Sequence, residues 1–201
     1  PGIPGIVSRT GDLTSDMVFE FPELQGTMGG IYAREEGLPE QVWKAIYYHY
    51  LPIGVELDAT PSKGQLGDAA TTWAAVSLAD KLDTLVGLDD AGEKVTGSRD
   101  PFALRRNAQS VIRVLMDLPE LTGINKELSL GPFVEQARRV LGLQPDAEEK
   151  YPAFLYERIL SVLAQRGGPI EVVRAVAAPG DGSRLVDWHR SPLRAKRIAE
   201  A

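Results

Sequence analysis

Two aspartates three positions apart, Asp80 and Asp83, interrupt the otherwise apolar run SLADKLDTLVG at residues 77–87. On a helix they fall about 60° apart on one face, roughly opposite the ridge Leu78, Leu82 and Leu85. If that second face packs inward, the carboxylates need a hard cation or basic side chains, because a buried unpaired charge is very costly. If it faces water, the run is an ordinary amphipathic helix. His49 is one of only two histidines and lies on the apolar stripe of its own helix, where an imidazole is either a hydrogen-bonded core residue or a ligand. The other, His189, stands in a polar terminal stretch and suggests no role. A third constellation is basic: Arg106, Gln109 and Arg113 at i, i+3 and i+7, with Arg105 beside them. Guanidinium groups aligned along a helix can follow a phosphate backbone, and the same pattern also serves as a solvated face with salt bridges. The sequence holds no phosphate-binding glycine-rich consensus, Ser/His/Asp set or HExxH, so pattern alone identifies no enzyme.

These residues must be placed by helices. PEQVWKAIYYHY starts at Pro39 and carries Val42, Ala45, Ile46 and His49 on one stripe. ELDATPSKGQLGD then reads as a loop, long for a compact domain. The next helix is expected from about Asp68 to Val86, followed by the polar loop GLDDAGEKVTGS. Asp100 as N-cap and Pro101 at the first helical position predict the start of another helix, with Leu104, Ala108, Val111, Ile112 and Leu115 on its core side. LGPFVEQARRVLGL and YPAFLYERILSVLAQRGG give two more, the second stopped by Gly167-Gly168. β-Branched runs are too short to argue for a sheet, so the fold class is all-α.

The composition narrows the function. At 201 residues and 43% hydrophobic content the chain suits one helical domain, or one domain with a small appendage. Its net charge of −6 excludes a general polyanion binder, so any nucleic-acid contact must come from a local basic patch. The absence of cysteine removes disulfides and thiolate metal sites and fits a cytosolic protein. No apolar run approaches the roughly 20 residues of a membrane span. The opening PGIPGIVSRTGDL, without an initiator Met, reads as a domain cut from a longer protein.

Five segments carry a resemblance: DMVFEFPELQGTMGGIYA (16–33), HYLP (49–52), LADKLDTLVG (78–87), TGSRDPFALRR (96–106) and FLYERILSVLAQRGGPIEVVRAVAA (154–178). In order and spacing the chain resembles the β subunit of bacterial heterotetrameric glycyl-tRNA synthetase, most densely over residues 12–110. The corresponding region of that subunit resembles an HD domain, the helical fold of metal-dependent phosphohydrolases. The resemblance thus implies an HD-like helical bundle over residues 1–178. A polar extension or linker, 179–201, would lead toward the anticodon-binding domain. LADKLD is similar to the helix bearing the late HD aspartate, which puts Asp80 at a ligand position and Asp83 beside it. His49 stands where a middle histidine would come, and Asp12 where the Asp of the His-Asp pair would come. The partner of that pair is missing, since position 11 is Gly. Asp12, His49 and Asp80 are thus the expected metal ligands of a degenerate site with too few groups for hydrolysis. Two stretches depart from the family form: GLDDAGEKVTG is acidic where an apolar, glycine-rich loop is usual, and DATPSKGQLGDAATTW is longer.

By resemblance, the parent complex joins glycine to its tRNA using ATP in the cytoplasm. The α subunit carries the ATP-dependent site, and the β subunit handles the tRNA. The expectation for this domain is backbone contact near the acceptor arm through Arg99, Arg105, Arg106 and Arg113, with no ligase activity of its own. Two rivals stand beside it. One is a live HD-type phosphohydrolase acting on nucleotides or cyclic phosphates with a divalent metal on Asp12, His49 and Asp80. The other is a domain that only spaces and braces its neighbours.

Overall fold

A computed structural model describes residues 11–53, 60–93, 103–126, 128, 130–144, 150–167 and 171 of the chain. Among them every regular element is a helix, as the periodicity predicts. In chain order these are α1 (Asp16–Glu20), α2 (Thr27–Glu35), α3 (Glu40–Tyr48), α4 (Lys63–Leu66), α5 (Ala70–Asp90), α6 (Leu104–Thr122), α7 (Leu130–Val140) and α8 (Lys150–Gln165). The proposed boundary at 178, the extension 179–201, Arg99, Asp100, Pro101 and His189 lie outside the described residues. None of the described helices is long and apolar enough to cross a membrane.

The long helices α5 and α6 pack along each other and form the centre of the bundle. α3 and α7 lie against α5, and α8 lies against α6. The predicted ridge of Leu78, Leu82 and Leu85 is buried, together with Trp73, Val76 and Val86. Ala108, Val111, Val114 and Leu115 of α6 join them in one core. Each such fully buried aliphatic or aromatic side chain contributes about 1.5–3 kcal/mol relative to exposure.

Helix limits differ from the sequence reading where local signals compete. α5 continues to Asp90, so Gly87–Asp90 are helical rather than part of a loop. α6 begins at Leu104, directly after Ala103, whose backbone is left-handed (φ 56°). Within the predicted loop, Ser62 and Gln65 form a reciprocal capping box that starts α4.

α2 and α3 were joined by a close approach that only glycine permits. A Cβ on Gly30 would stand 2.4 Å from Tyr47 Cβ and 2.7 Å from its Cα. The two glycines of TMGG therefore let α2 lie flat on α3, at the cost of helix propensity.

Candidate functional site

The segment Tyr48–Pro52 leaves α3 and crosses the face of the α5/α6 pair. A helix ends here with unsatisfied carbonyls, and Pro52 forbids continuation. Side chains from the two long helices supply the missing donors. Trp73 Nε1 donates to the Tyr48 carbonyl at 2.9 Å, and Lys81 Nζ donates to the His49 carbonyl at 2.7 Å. Ser77 Oγ donates to the Leu51 carbonyl at 3.1 Å, and Ser110 Oγ donates to the Pro52 carbonyl. Trp73, Ser77 and Lys81 are spaced at i, i+4 and i+8, so one stripe of α5 holds three successive contacts. The HYLP motif is thus pinned as backbone by three side chains, with Trp73 holding the residue before it.

Lys81 is the residue that the sequence reading missed. It is 2% exposed, and its Nζ also donates to Ser77 Oγ at 2.9 Å. Burial lowers its pKa from 10.5 to about 8, against the opposing pull of the neighbouring Asp80 carboxylate. Its position offered a signal: three residues after Leu78 and four after Ser77, it belongs to the buried face of α5.

Asp12 and His49 both lie beside Gly26, at the start of α2. Asp12 is buried, and its Oδ2 accepts the N–H of Gly26 at 2.6 Å and of Gly29 at 3.1 Å. Gly26 is the N-cap of α2 and has no side chain to cap with, so a carboxylate from elsewhere in the chain takes that role at the positive end of the helix. His49 is fully buried, with Nδ1 2.6 Å from the Ile46 carbonyl and its ring centroid 3.9 Å from that of Tyr50. A Cβ on Gly26, where φ is 78°, would approach His49 Cε1 to 3.3 Å. Tyr50 is fixed in turn by Gln25, whose Nε2 donates to its hydroxyl.

Asp80 is partly buried and lines a cleft of about 390 Å³ with Tyr50, Gln25, Arg106 and Asn107. Asp83, the other aspartate of the motif, is exposed and answers to the solvated-face reading. Among the described residues no three His, Cys, Asp or Glu side chains are grouped to hold a metal ion. Asp12 Oδ2 is engaged by two N–H groups, and its buried Oδ1, which has no hydrogen-bond partner among the described residues, is a single ligand. The Lys81 ammonium already supplies the positive charge beside the His49 carbonyl. These residues do not fit a metal centre of the HD kind.

The arginine stripe divides along α6. Arg106 is exposed and Arg105 half-buried. Further along, Gln109 Nε2 donates to Ser161 Oγ of α8 at 3.3 Å, and Arg113 is 2% exposed. Arg113 therefore does not share a solvent face with Arg106, as its spacing predicted. The stripe itself is regular, but α8 covers its second half. At its far end Arg166, just past α8, forms a bidentate pair with Asp117, Nη1 to Oδ1 at 2.8 Å and Nη2 to Oδ2 at 2.7 Å.

Comparison with known proteins accounts for the motifs around this site. Residues 9–178 match the family described as glycyl-tRNA synthetase beta subunit. The glycine–tRNA ligase beta subunit of Paracoccus denitrificans (strain Pd 1222) is 45% identical over 182 residues, which is 90% of this chain and 24% of that protein. That of Phenylobacterium zucineum (strain HLK1) is 42% identical over 170 residues, 85% of this chain and 21% of that protein. That of Aromatoleum aromaticum (strain DSM 19018 / LMG 30748 / EbN1) is 40% identical over 167 residues, 83% of this chain and 23% of that protein. The chain thus spans between a fifth and a quarter of the length of these relatives. The pinned HYLP segment, the LADKLDTLVG helix and the arginines after it all fall within the matched residues: the chain belongs to the glycyl-tRNA synthetase beta subunit family.

Proposed function

We propose that this chain is the HD-like helical domain of a glycine–tRNA ligase beta subunit, covering residues 1–178, and that it holds the backbone of glycine tRNA near the acceptor arm. In this reading the whole cytoplasmic complex attaches glycine to tRNA using ATP. The α subunit of the heterotetramer activates the amino acid, and this domain positions the nucleic acid. The observation that carries the proposal is the exposed Arg106 beside Arg105 in the first turn of α6. A guanidinium there can bind a phosphate bidentately, fixing position without reading sequence. Arg99 extends the same contact set in sequence. Arg113 is left out of it, because its side chain lies in the core. The phosphohydrolase reading draws no support from the site, where the Asp12 carboxylate caps a helix and a buried lysine stands beside Asp80.

The test is Arg106→Glu in the assembled ligase. The expected result is weaker tRNA binding with a salt slope reduced by about 1, and unchanged glycyl-adenylate formation. Unaltered tRNA affinity would refute the proposal.

A further inference from the structure

The cleft beside Asp80 is built for more than backbone contact. Its volume of about 390 Å³ lies at the lower end of small-molecule sites, room for one nucleotide and too little for a duplex. Tyr50 lines the cleft, and three neighbours hold its ring: His49 lies against it at 3.9 Å, Gly26 backs its Cδ2–Cε2 side, and Gln25 holds its hydroxyl. An aromatic ring immobilised in this way is a stacking platform with little entropy left to lose. Asp80 and the Asn107 amide offer acceptors and donors within the cleft, and exposed Arg106 stands at its edge. One guanidinium with one carboxylate nearby suits a single phosphate and repels a polyphosphate. A carboxylate is also a common acceptor for ribose hydroxyls.

We propose that this cleft binds one unpaired ribonucleotide: base against Tyr50, ribose hydroxyls toward Asp80, base edge at Asn107 and phosphate on Arg106. The same chemistry is presented by a free nucleoside monophosphate and by an unpaired nucleotide of an RNA. The second source rests on the tRNA-handling reading, whereas the first does not.

The experiment uses the 201-residue chain. Binding of AMP, CMP, GMP and UMP is titrated by calorimetry, alongside a blunt RNA hairpin and the same hairpin with a single-stranded 3′ overhang. Saturable binding of at least one monophosphate is expected, weakened about tenfold or more in Tyr50→Leu and in Asn107→Ala. Asp80→Asn should erase the preference for a ribonucleotide over its 2′,3′-dideoxy form. An affinity gain from the overhang that disappears in Tyr50→Leu assigns the nucleotide to RNA. Monophosphate binding without that gain assigns it to a free ligand. Thermal unfolding of each variant separates loss of the cleft from loss of the fold, and Asn107→Ala removes no hydrogen bond that holds the Tyr48–Pro52 segment. The proposal is overturned if no monophosphate saturates and the overhang adds nothing, or if both Tyr50→Leu and Asn107→Ala bind as the parent does. In the first case, blunt-hairpin binding that is lost in Arg106→Glu leaves the backbone-contact reading standing. Nucleotide binding without hairpin binding does the reverse.

Discussion

The Lys81 ammonium lies 2.7 Å from the backbone carbonyl of His49, with almost no exposure to water. A buried cation held by a carbonyl and a hydroxyl has no full counter-charge at hydrogen-bond distance in those two contacts, and desolvation wins over the attraction of Asp80. Its pKa falls from 10.5 in the unfolded chain to about 8 in the fold. Between those values the unfolded state binds more protons, so this group makes the fold more stable as pH rises. The gain is on the order of 3 kcal/mol across that window, starting near pH 8. Lys81→Met should lack it. Denaturant titrations of both proteins from pH 7 to pH 10.5 check this. Parallel stability curves would show that Lys81 does not titrate in this window.

Asp12 caps α2 through a contact between residues 14 positions apart in the chain. Asp12→Ala removes the acceptor from two backbone N–H groups and should cost about 2 kcal/mol, with Asp12→Asn costing less because an amide oxygen still accepts. A capping role also makes this loss independent of added Mn²⁺ or chelator. Thermal melts under both conditions decide it, since a metal ligand would give a wild-type chain stabilised by Mn²⁺ and a variant that is not.

Much of this architecture is legible in the sequence, and the gaps have physical causes. The ridge of Leu78, Leu82 and Leu85 is buried as its spacing predicts, and so are Ala45, Ile46 and His49 of the α3 stripe, with Val42 partly buried, because local periodicity determines which face of a helix is apolar. Arg113 defeats the same logic. Its angular position matches that of Arg106, and only the arrival of α8 from far along the chain decides that one is exposed and the other buried. Lys81 escapes the pattern because a lysine between two aspartates reads as a wet face, whereas the carbonyl it satisfies belongs to a residue 32 positions away. The glycines of TMGG are poor helix formers, yet they lie in α2, where α3 comes close. Asp12 is singled out by the family resemblance alone, and its partners are N–H groups at the start of a helix that the apolar pattern does not announce.

Gly30 and Gly64 separate packing from propensity. Glycine in a helix costs about 1 kcal/mol relative to alanine, so both substitutions should help if nothing stood in the way. At Gly64 the nearest atom to an added Cβ is Ser62 Oγ at 4.0 Å, and Gly64→Ala should raise stability by up to about 1 kcal/mol. At Gly30 the added carbon meets the backbone and Cβ of Tyr47 within 2.7 Å. Gly30→Ala should therefore destabilise by roughly 1–3 kcal/mol, through separation of α2 from α3. The opposite signs are read from denaturation midpoints, and an equal response at both sites would mean that α2 and α3 are less tightly apposed.

The Asp117–Arg166 pair closes the far end of the arginine stripe, and its burial sets what it contributes. Its side chains are 12% and 16% exposed, so it is far from the surface pairs that contribute almost nothing. Both bonds of the fork are formed, and Arg166 follows directly on α8, so the pair holds the end of that helix against α6. Removing one partner from a pair this enclosed costs about 3 kcal/mol, whereas replacing both with apolar groups costs much less. Arg166→Met should thus be strongly destabilising, and Asp117→Leu with Arg166→Met should be milder than the sum of the single changes. A double-mutant cycle measures the coupling directly. A value below about 0.5 kcal/mol would place the pair with exposed bridges and leave α8 held to α6 mainly by its apolar residues Ile159, Val162 and Leu163.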